Sequence, residues 1–279
     1  MKKEQLSQLK QIALKVREHC VRMSGSGGAF TGSALSCADL MVYLYGQFLS
    51  CGPGDPSRDY CFLSKGHAVP ALYGTLAEMG VLPKERLSAH LSAGDDIYWH
   101  PNKNIPGVEF HSGSLGHLLP VAAGVALDCK LRGQDNRVAV ILGDGELNEG
   151  SNWEACLLAS AYKLDNLIII IDRNRFQANK KTEELVRLEP LEAKFTSFGL
   201  AAETINGHDF EQMDELFFRI PFEHHCPNVV IAETVRGKGI PSIESRADRW
   251  FCNFSDYEAE LLLKELYDTA AGPAAGVAL

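Results

Sequence analysis

Two apolar runs flanking a helix-length segment constrain this chain more than any other feature of its sequence. Residues 138–142 and 167–171 are uninterrupted stretches of Val, Ile, Leu and Ala, the composition of strands buried on both faces. Residues 149–162 between them have the length of a helix. Strand, helix and strand at this spacing form a crossover, which leaves the two strands parallel and adjacent. The expected fold is therefore α/β: a doubly wound, mostly parallel sheet with helices on both faces.

The flanking sequence extends that pattern. Leu6, Leu9, Ala13, Val16 and Cys20 recur at helical spacing before a Gly/Ser loop, Ser24 to Gly28. A helix is expected over 36–48, a strand over 60–63, a turn over 64–67 and a helix over 71–79. Residues 100–113 lack periodicity and read as an ordered loop. The small residues Gly116, Ala122, Ala123, Gly124 and Ala126 then suggest a close-packed helix. Strands over 202–205 and 229–234 with a helix over 210–218 complete a single domain, 1–265, and the low-complexity end, 266–279, is expected to be a flexible tail.

Composition sets limits on partners and compartment. A formal net charge of −9 argues against nucleic acid. The eight cysteines show no C-x-x-C and sit mostly in apolar runs, as reduced thiols do in a cytosol. The first residues lead into a charged amphipathic segment, so no export signal is expected, and no apolar run is long enough for a bilayer. A cytoplasmic protein is the expectation.

The chemistry sits at the ends of the crossover strands. Gly143-Asp144-Gly145 follows the first strand and Asp172-Arg173-Asn174 the second, and ligands of open parallel sheets bind beyond those carboxyl ends. Asp144 and Asn174 offer hard oxygen donors suited to Mg²⁺ or Ca²⁺. The glycines let backbone N–H groups approach a phosphate, with the dipole of the helix starting near Glu149 behind it. Taken alone, the Gly-Asp-Gly run is only a strand-to-helix turn. With 28 residues between Gly145 and Asn174, it resembles the thiamine-diphosphate signature of GDG, roughly 25–30 residues, then Asn.

The wider sequence resembles the transketolase family. The resemblance rests on residues 143–155, 162–167 and 172–177, and on Leu63-Ser64-Lys65-Gly66-His67, Gly113-Ser114-Leu115-Gly116, Asn206-Gly207-His208-Asp209 and Thr234-Val235-Arg236-Gly237-Lys238-Gly239. It implies that Asp144, Asn174 and the backbone carbonyl of Phe176 hold the metal ion. Gly143, Gly145 and Glu146 fall in the diphosphate-binding motif. His67 would lie at the diphosphate and thiazolium, His100 would face the reacting carbons, and Gly113 and Leu115 would line the aminopyrimidine. Glu149 would be a buried acid at a subunit interface. The catalytic candidates are thus His100, His67 and Glu149.

The resemblance also implies a partner. The second transketolase domain, whose glutamate protonates the pyrimidine ring, has no counterpart in this chain. A C-terminal transketolase-like subunit carrying the pyrimidine domain is therefore expected, in an α₂β₂ assembly. Two family histidines that meet sugar hydroxyls are missing. The first falls on Phe30 in one register and on Ser26 in another, and the second on Trp250-Phe251. Each unmet hydroxyl costs roughly 1–3 kcal/mol, so either His111 or His117 compensates or the donor is changed to a small 2-oxo acid or similar molecule, with Phe30 and Phe251 as apolar walls. The expected function is transfer of a two-carbon ketol or acyl unit. The alternatives are a non-catalytic cofactor-binding protein and one subunit of a decarboxylating 2-oxo-acid enzyme. Lys65-Gly66-His67 and Gly237-Lys238-Gly239 favour the transketolase form over a 2-oxo-acid dehydrogenase.

Overall fold

The computed structural model describes residues 1–51, 55 and 57–272. The helices are α1 (Lys3–Gly25), α2 (Thr31–Tyr43), α3 (Val69–Glu78), α4 (Leu118–Leu131), α5 (Gly150–Ala161), the short α6 (Thr182–Leu185) and α7 (Leu191–Ser197), α8 (Phe210–Phe217) and α9 (Asp256–Ala271). The strands are β1 (Tyr60–Leu63), β2 (Val138–Gly143), β3 (Leu167–Arg173), the hairpin β4 (Phe176–Gln177) and β5 (Lys180–Lys181), β6 (Ala201–Asn206) and β7 (Asn228–Glu233). The main sheet has the order β1-β2-β3-β7-β6 and every pairing in it is parallel.

Alternation along the central strands feeds two cores. Ala139, Ile141, Ile168, Ile170 and Val230 face one side with α1, α2, α3, α8 and α9. Val138, Val140, Leu142, Ile169, Ile171 and Val229 face the other with α4, α5 and α7. The chain steps from β3 to the edge strand β6 and returns to β7, so β3 and β7 are neighbours whose connections leave on opposite faces. That reversal opens a crevice at their carboxyl ends.

The crossover strands and the expected fold class are observed. Several boundaries differ for physical reasons. The second helix begins at Thr31 instead of residue 36 and ends at Tyr43, followed by a wider-wound turn, Leu44–Phe48. All thirteen residues of α2 are buried, so no polar stripe marks its start. Parallel pairing with β7 carries β3 two residues further than expected, which places Asp172 and Arg173 inside the strand. α9 was not legible as a separate element. It runs through Ala271 with Leu266 buried, so the expected tail is helical from 266 to 271. Residues 273–279 of that tail lie outside the described residues.

A buried ion pair ties the helical layer to the site face. The Arg17 guanidinium of α1 donates to both Asp39 oxygens of α2 at 2.9 and 2.6 Å. His208 Nε2 accepts from the Val235 amide, so its Nδ1 carries the proton given to Asp39 at 2.7 Å. Burial opposes ionisation of Asp39, yet Arg17 and His208 hold its carboxyl well below the usual carboxylate range. Removing one partner strands a buried charge. Asp39→Ala is expected to lower unfolding free energy by ~3–5 kcal/mol, read as a drop in the urea midpoint.

Candidate active site

Register brings the site together. Gly143 is level with Asp172, and Asp172 with Ala232, so the tips of β2, β3 and β7 end at one height. β1 ends one residue before Ser64-Lys65, which puts the Lys65 ammonium beneath the same tips. Asp172 and Lys65 are fully buried and form an ion pair. Thr234 Oγ1 donates to the other oxygen of Asp172, Ser36 Oγ lies 2.6 Å from Oδ2, and Asn174 Nδ2 donates to Oδ2 at 3.1 Å. Burial opposes ionisation of Asp172, but the Lys65 charge and these donors hold its carboxyl low. The bond from Asn174 Nδ2 fixes the amide so that Oδ1 points away from Asp172, where it accepts from the Phe176 amide at 3.0 Å.

Above this network lies a cavity of about 220 Å³. Asp144, Asn174, Gly143, Gly145, Phe176, His67 and Leu115, candidates from the sequence, line it together. Burial, reinforced by the nearby Asp172 charge, pushes the Asp144 carboxyl up to about 6. Gly145 is a close-approach position, since a Cβ there would sit 2.8 Å from the Gln177 side chain. His67 Nε2 is 2.9 Å from Ser33 Oγ, and burial with the Lys65 ammonium pushes its imidazole down to about 3. His100 packs against Gly113, where a Cβ would come within 2.8 Å of the ring.

Other expected site residues are placed differently. Glu146 is buried, and its carboxylate is taken up by Ser64 Oγ at 2.5 Å and the amides of Gly116 and Gly143 at 2.9 and 3.2 Å. It lines the same cavity and braces the loop carrying Leu115. Glu149 is exposed in this chain, beside Gly116. His111 and His117 are also exposed, and His117 Nδ1 turns back to the Leu115 carbonyl at 3.0 Å. Of the two registers for the early loop, Ser26 is exposed while Phe30 faces the site. The Phe30 ring lies 5.5 Å from His67, 6.4 Å from His100, 5.1 Å from Trp250 and 5.2 Å from Phe251. Phe30 thus joins the two imidazoles to an aromatic cluster.

Three contributors were not assigned from sequence: Lys65, Asp172 and Arg236. Arg236 is 2% exposed and lines the cavity; its Nη1 donates to the Ala178 carbonyl, but its Nε and Nη2 have no hydrogen-bond partner among the described residues. Burial pulls its pKa down. The available signal was a pair of cations, Arg236 and Lys238, set among small residues from Thr234 to Gly239. A buried guanidinium with free N–H groups beside hard oxygen donors fits a bound anion together with a divalent cation.

Fold and site thus define a doubly wound protein whose cavity at the switch point gathers hard oxygen donors and an incompletely paired guanidinium. The chain belongs to the transketolase family: residues 10–266 match the family described as transketolase, thiamine diphosphate binding domain. It is 38% identical to one of the subunits of the apulose-4-phosphate transketolase of Actinobacillus succinogenes, over 94% of this chain and 96% of that protein. It is 33% identical to a 6-deoxy-6-sulfo-D-fructose transketolase subunit of a Clostridium species, over 87% and 90%. Among solved structures, the transketolase of Campylobacter jejuni superposes with a TM-score of 0.85 at 28% identity, over 97% of this chain. The chain spans 43% of that longer protein.

The depressed His67 sets a pH dependence. Its imidazole stays neutral in the folded chain down to about 3, whereas the unfolded chain takes up a proton near 6.5. The unfolded state binds more protons between those values, so stability falls as pH drops from 6.5 toward 3. His67→Gln removes this contribution. Denaturant unfolding at pH 7, 6 and 5 should show the variant losing less stability than wild type, by up to ~1.4 kcal/mol per pH unit below 6.5.

Proposed function

We propose that this chain is the cofactor-binding subunit of a two-component transketolase that moves a two-carbon ketol unit between carbonyl compounds. The observation that carries the reading is the buried Arg236 guanidinium, incompletely paired, in one cavity with Asp144 and Asn174. Thiamine diphosphate, when bound there, supplies the nucleophilic carbon that accepts and hands on the two-carbon unit. Asp144, Asn174 and the Phe176 carbonyl would hold Mg²⁺ or Ca²⁺. The Gly143 and Gly145 backbone and Arg236 would hold the diphosphate, with Gly113 and Leu115 against the ring at its other end.

The remaining residues act on the substrate side. His67 is neutral at physiological pH and so exchanges hydrogen bonds without adding charge, and His100 is likewise pushed down by burial. Phe30 packs against both rings, with Trp250 and Phe251 behind it. That wall suits a donor with fewer hydroxyls near the reacting carbons than an ordinary ketose phosphate. The relatives named for apulose 4-phosphate and 6-deoxy-6-sulfo-D-fructose support ketol transfer from an unusual carbohydrate over decarboxylation of a 2-oxo acid.

The relatives named as subunits and exposed apolar residues on this chain support a partner subunit, which in this reading carries the pyrimidine domain in an α₂β₂ assembly. Leu131 of α4, Leu157 and Leu158 of α5, and Tyr162 just after α5 are exposed. Glu149, exposed here beside the site loop, would be covered at such a contact. A cytoplasmic setting is supported by eight free cysteines, and no helix among the described residues is long and apolar enough to cross a membrane.

A coupled assay, together with co-purification of a pyrimidine-domain subunit, tests the reading. The chain alone should show no turnover with thiamine diphosphate and Mg²⁺, and the pair should turn over. Asp144→Asn in the pair should reduce kcat/KM by about a hundredfold or more, beyond the range of losses at supporting residues of a metal site. Xylulose 5-phosphate and pyruvate, assayed side by side, separate ketol transfer from decarboxylation. Phe30→His should raise kcat/KM for xylulose 5-phosphate by about tenfold, the value of one restored hydrogen bond. Turnover by the isolated chain would refute the two-component reading.

A further inference from the structure

Arg173 ends β3 inside the site, and nothing in the reading above uses it. Its side chain is 1% exposed and all five of its N–H groups find acceptors. Nε donates to Glu189 Oε1 at 3.1 Å. Nη1 donates to Asp144 Oδ2 at 3.0 Å and Thr182 Oγ1 at 2.7 Å, and Nη2 to Glu183 and Glu189 at 2.8 and 2.9 Å. Asp144 Oδ2 also takes the Arg175 amide at 2.5 Å, whereas Oδ1 accepts only its neighbour's amide, from Gly145, at 2.8 Å. One edge of the carboxylate is occupied and the other is nearly open.

We propose that Arg173 is a positioning residue that reserves Oδ1 of Asp144 for a divalent cation and holds down the affinity of the site for that cation. The proposal rests on the reading of Asp144 as a cation ligand. With Oδ2 engaged by a guanidinium and an amide, the carboxylate meets the cation through one oxygen, and the positive charge beside it opposes the approach of a second one. Glu183 and Glu189 have side chains 36% and 47% exposed and share the guanidinium across its far side. Their charge offsets part of its field. The segment from Thr182 to Glu189 thereby tunes a site it does not line with a ligand oxygen.

The test is Mn²⁺ binding to the full chain, followed by electron paramagnetic resonance, with thermal melts to establish folding. Arg173→Gln keeps donors but removes the charge, and it should tighten Mn²⁺ binding roughly tenfold. Arg173→Lys keeps the charge and should stay within about twofold of wild type. Glu189→Gln, at a half-exposed position that leaves folding intact, removes an offsetting charge and should weaken binding about threefold. A guanidinium that only anchors the 182–189 segment would lower the melting temperature when replaced and leave all four affinities equal, which overturns the proposal. Should Arg173→Gln fail to fold, an unchanged affinity in Glu189→Gln overturns it equally. Asp144→Asn separates the two readings: if it leaves Mn²⁺ binding unaltered, Asp144 is not the ligand and the inference falls with that assignment. If it abolishes binding, the outcome for Arg173 stands on its own.

Discussion

The ion pair between Lys65 and Asp172 is the interaction around which the site is assembled. It joins the segment after β1 to the penultimate residue of β3, and hydroxyls from α2 and from the segment after β7 complete it. Four parts of the chain, far apart in sequence, are thereby held at one point. Two charges withdrawn from water carry a desolvation cost of several kcal/mol each, and that cost is offset only when both keep their partners. The pair is thus weak evidence of net stability and strong evidence of a required geometry. Its consequence is local: Asp172 takes the amide nitrogen of Asn174 and leaves the amide oxygen directed elsewhere.

A second layer of polar contacts positions backbone instead of side chains. The buried carboxylate of Glu146 accepts from Ser64 and from the amides of Gly116 and Gly143, linking the end of β1, the loop before α4 and the tip of β2. Close approaches at Gly66, Gly113 and Gly145 leave no space for a Cβ, so these loops lie against one another and against His100 and Gln177. The result is a small cavity with hard oxygens and a free guanidinium at one end and aromatic rings at the other. Charge recognition and apolar recognition are separated along its length, which suits a ligand with an anionic tail and a reacting end that must be shielded from water.

Legibility differed by the range of the interactions involved. The buried strands β2 and β3 were plain because an all-apolar run of five between turn residues admits few alternatives. α2 was misplaced at both ends because burial on every side erases the amphipathic pattern that marks a helix start. α7, α9 and the hairpin β4–β5 carried no comparable signal. In the site, Asp144, Asn174 and the glycines stood out through spacing, whereas the contacts of Glu146 with Ser64, Gly116 and Gly143 could not be read from it. His111 and His117 were close in sequence to Leu115, yet their loop turns both to solvent.

The sequence by itself determined the parallel crossover, the oxygen-bearing side chains at its two strand tips and the absence of histidine at residues 26, 30, 250 and 251. These are properties of composition and spacing, which local physics makes readable. Only the tertiary structure decided that Phe30, and not Ser26, faces the site, that Lys65 is spent on Asp172, and that Arg173 grips one edge of Asp144 while Arg236 keeps unpaired N–H groups. Each of those depends on which side chain from a distant segment arrives to complete a buried charge or fill a wall. Spacing along one segment carries no record of that arrival, because the partner is set by sheet register and by the packing of helices on both faces.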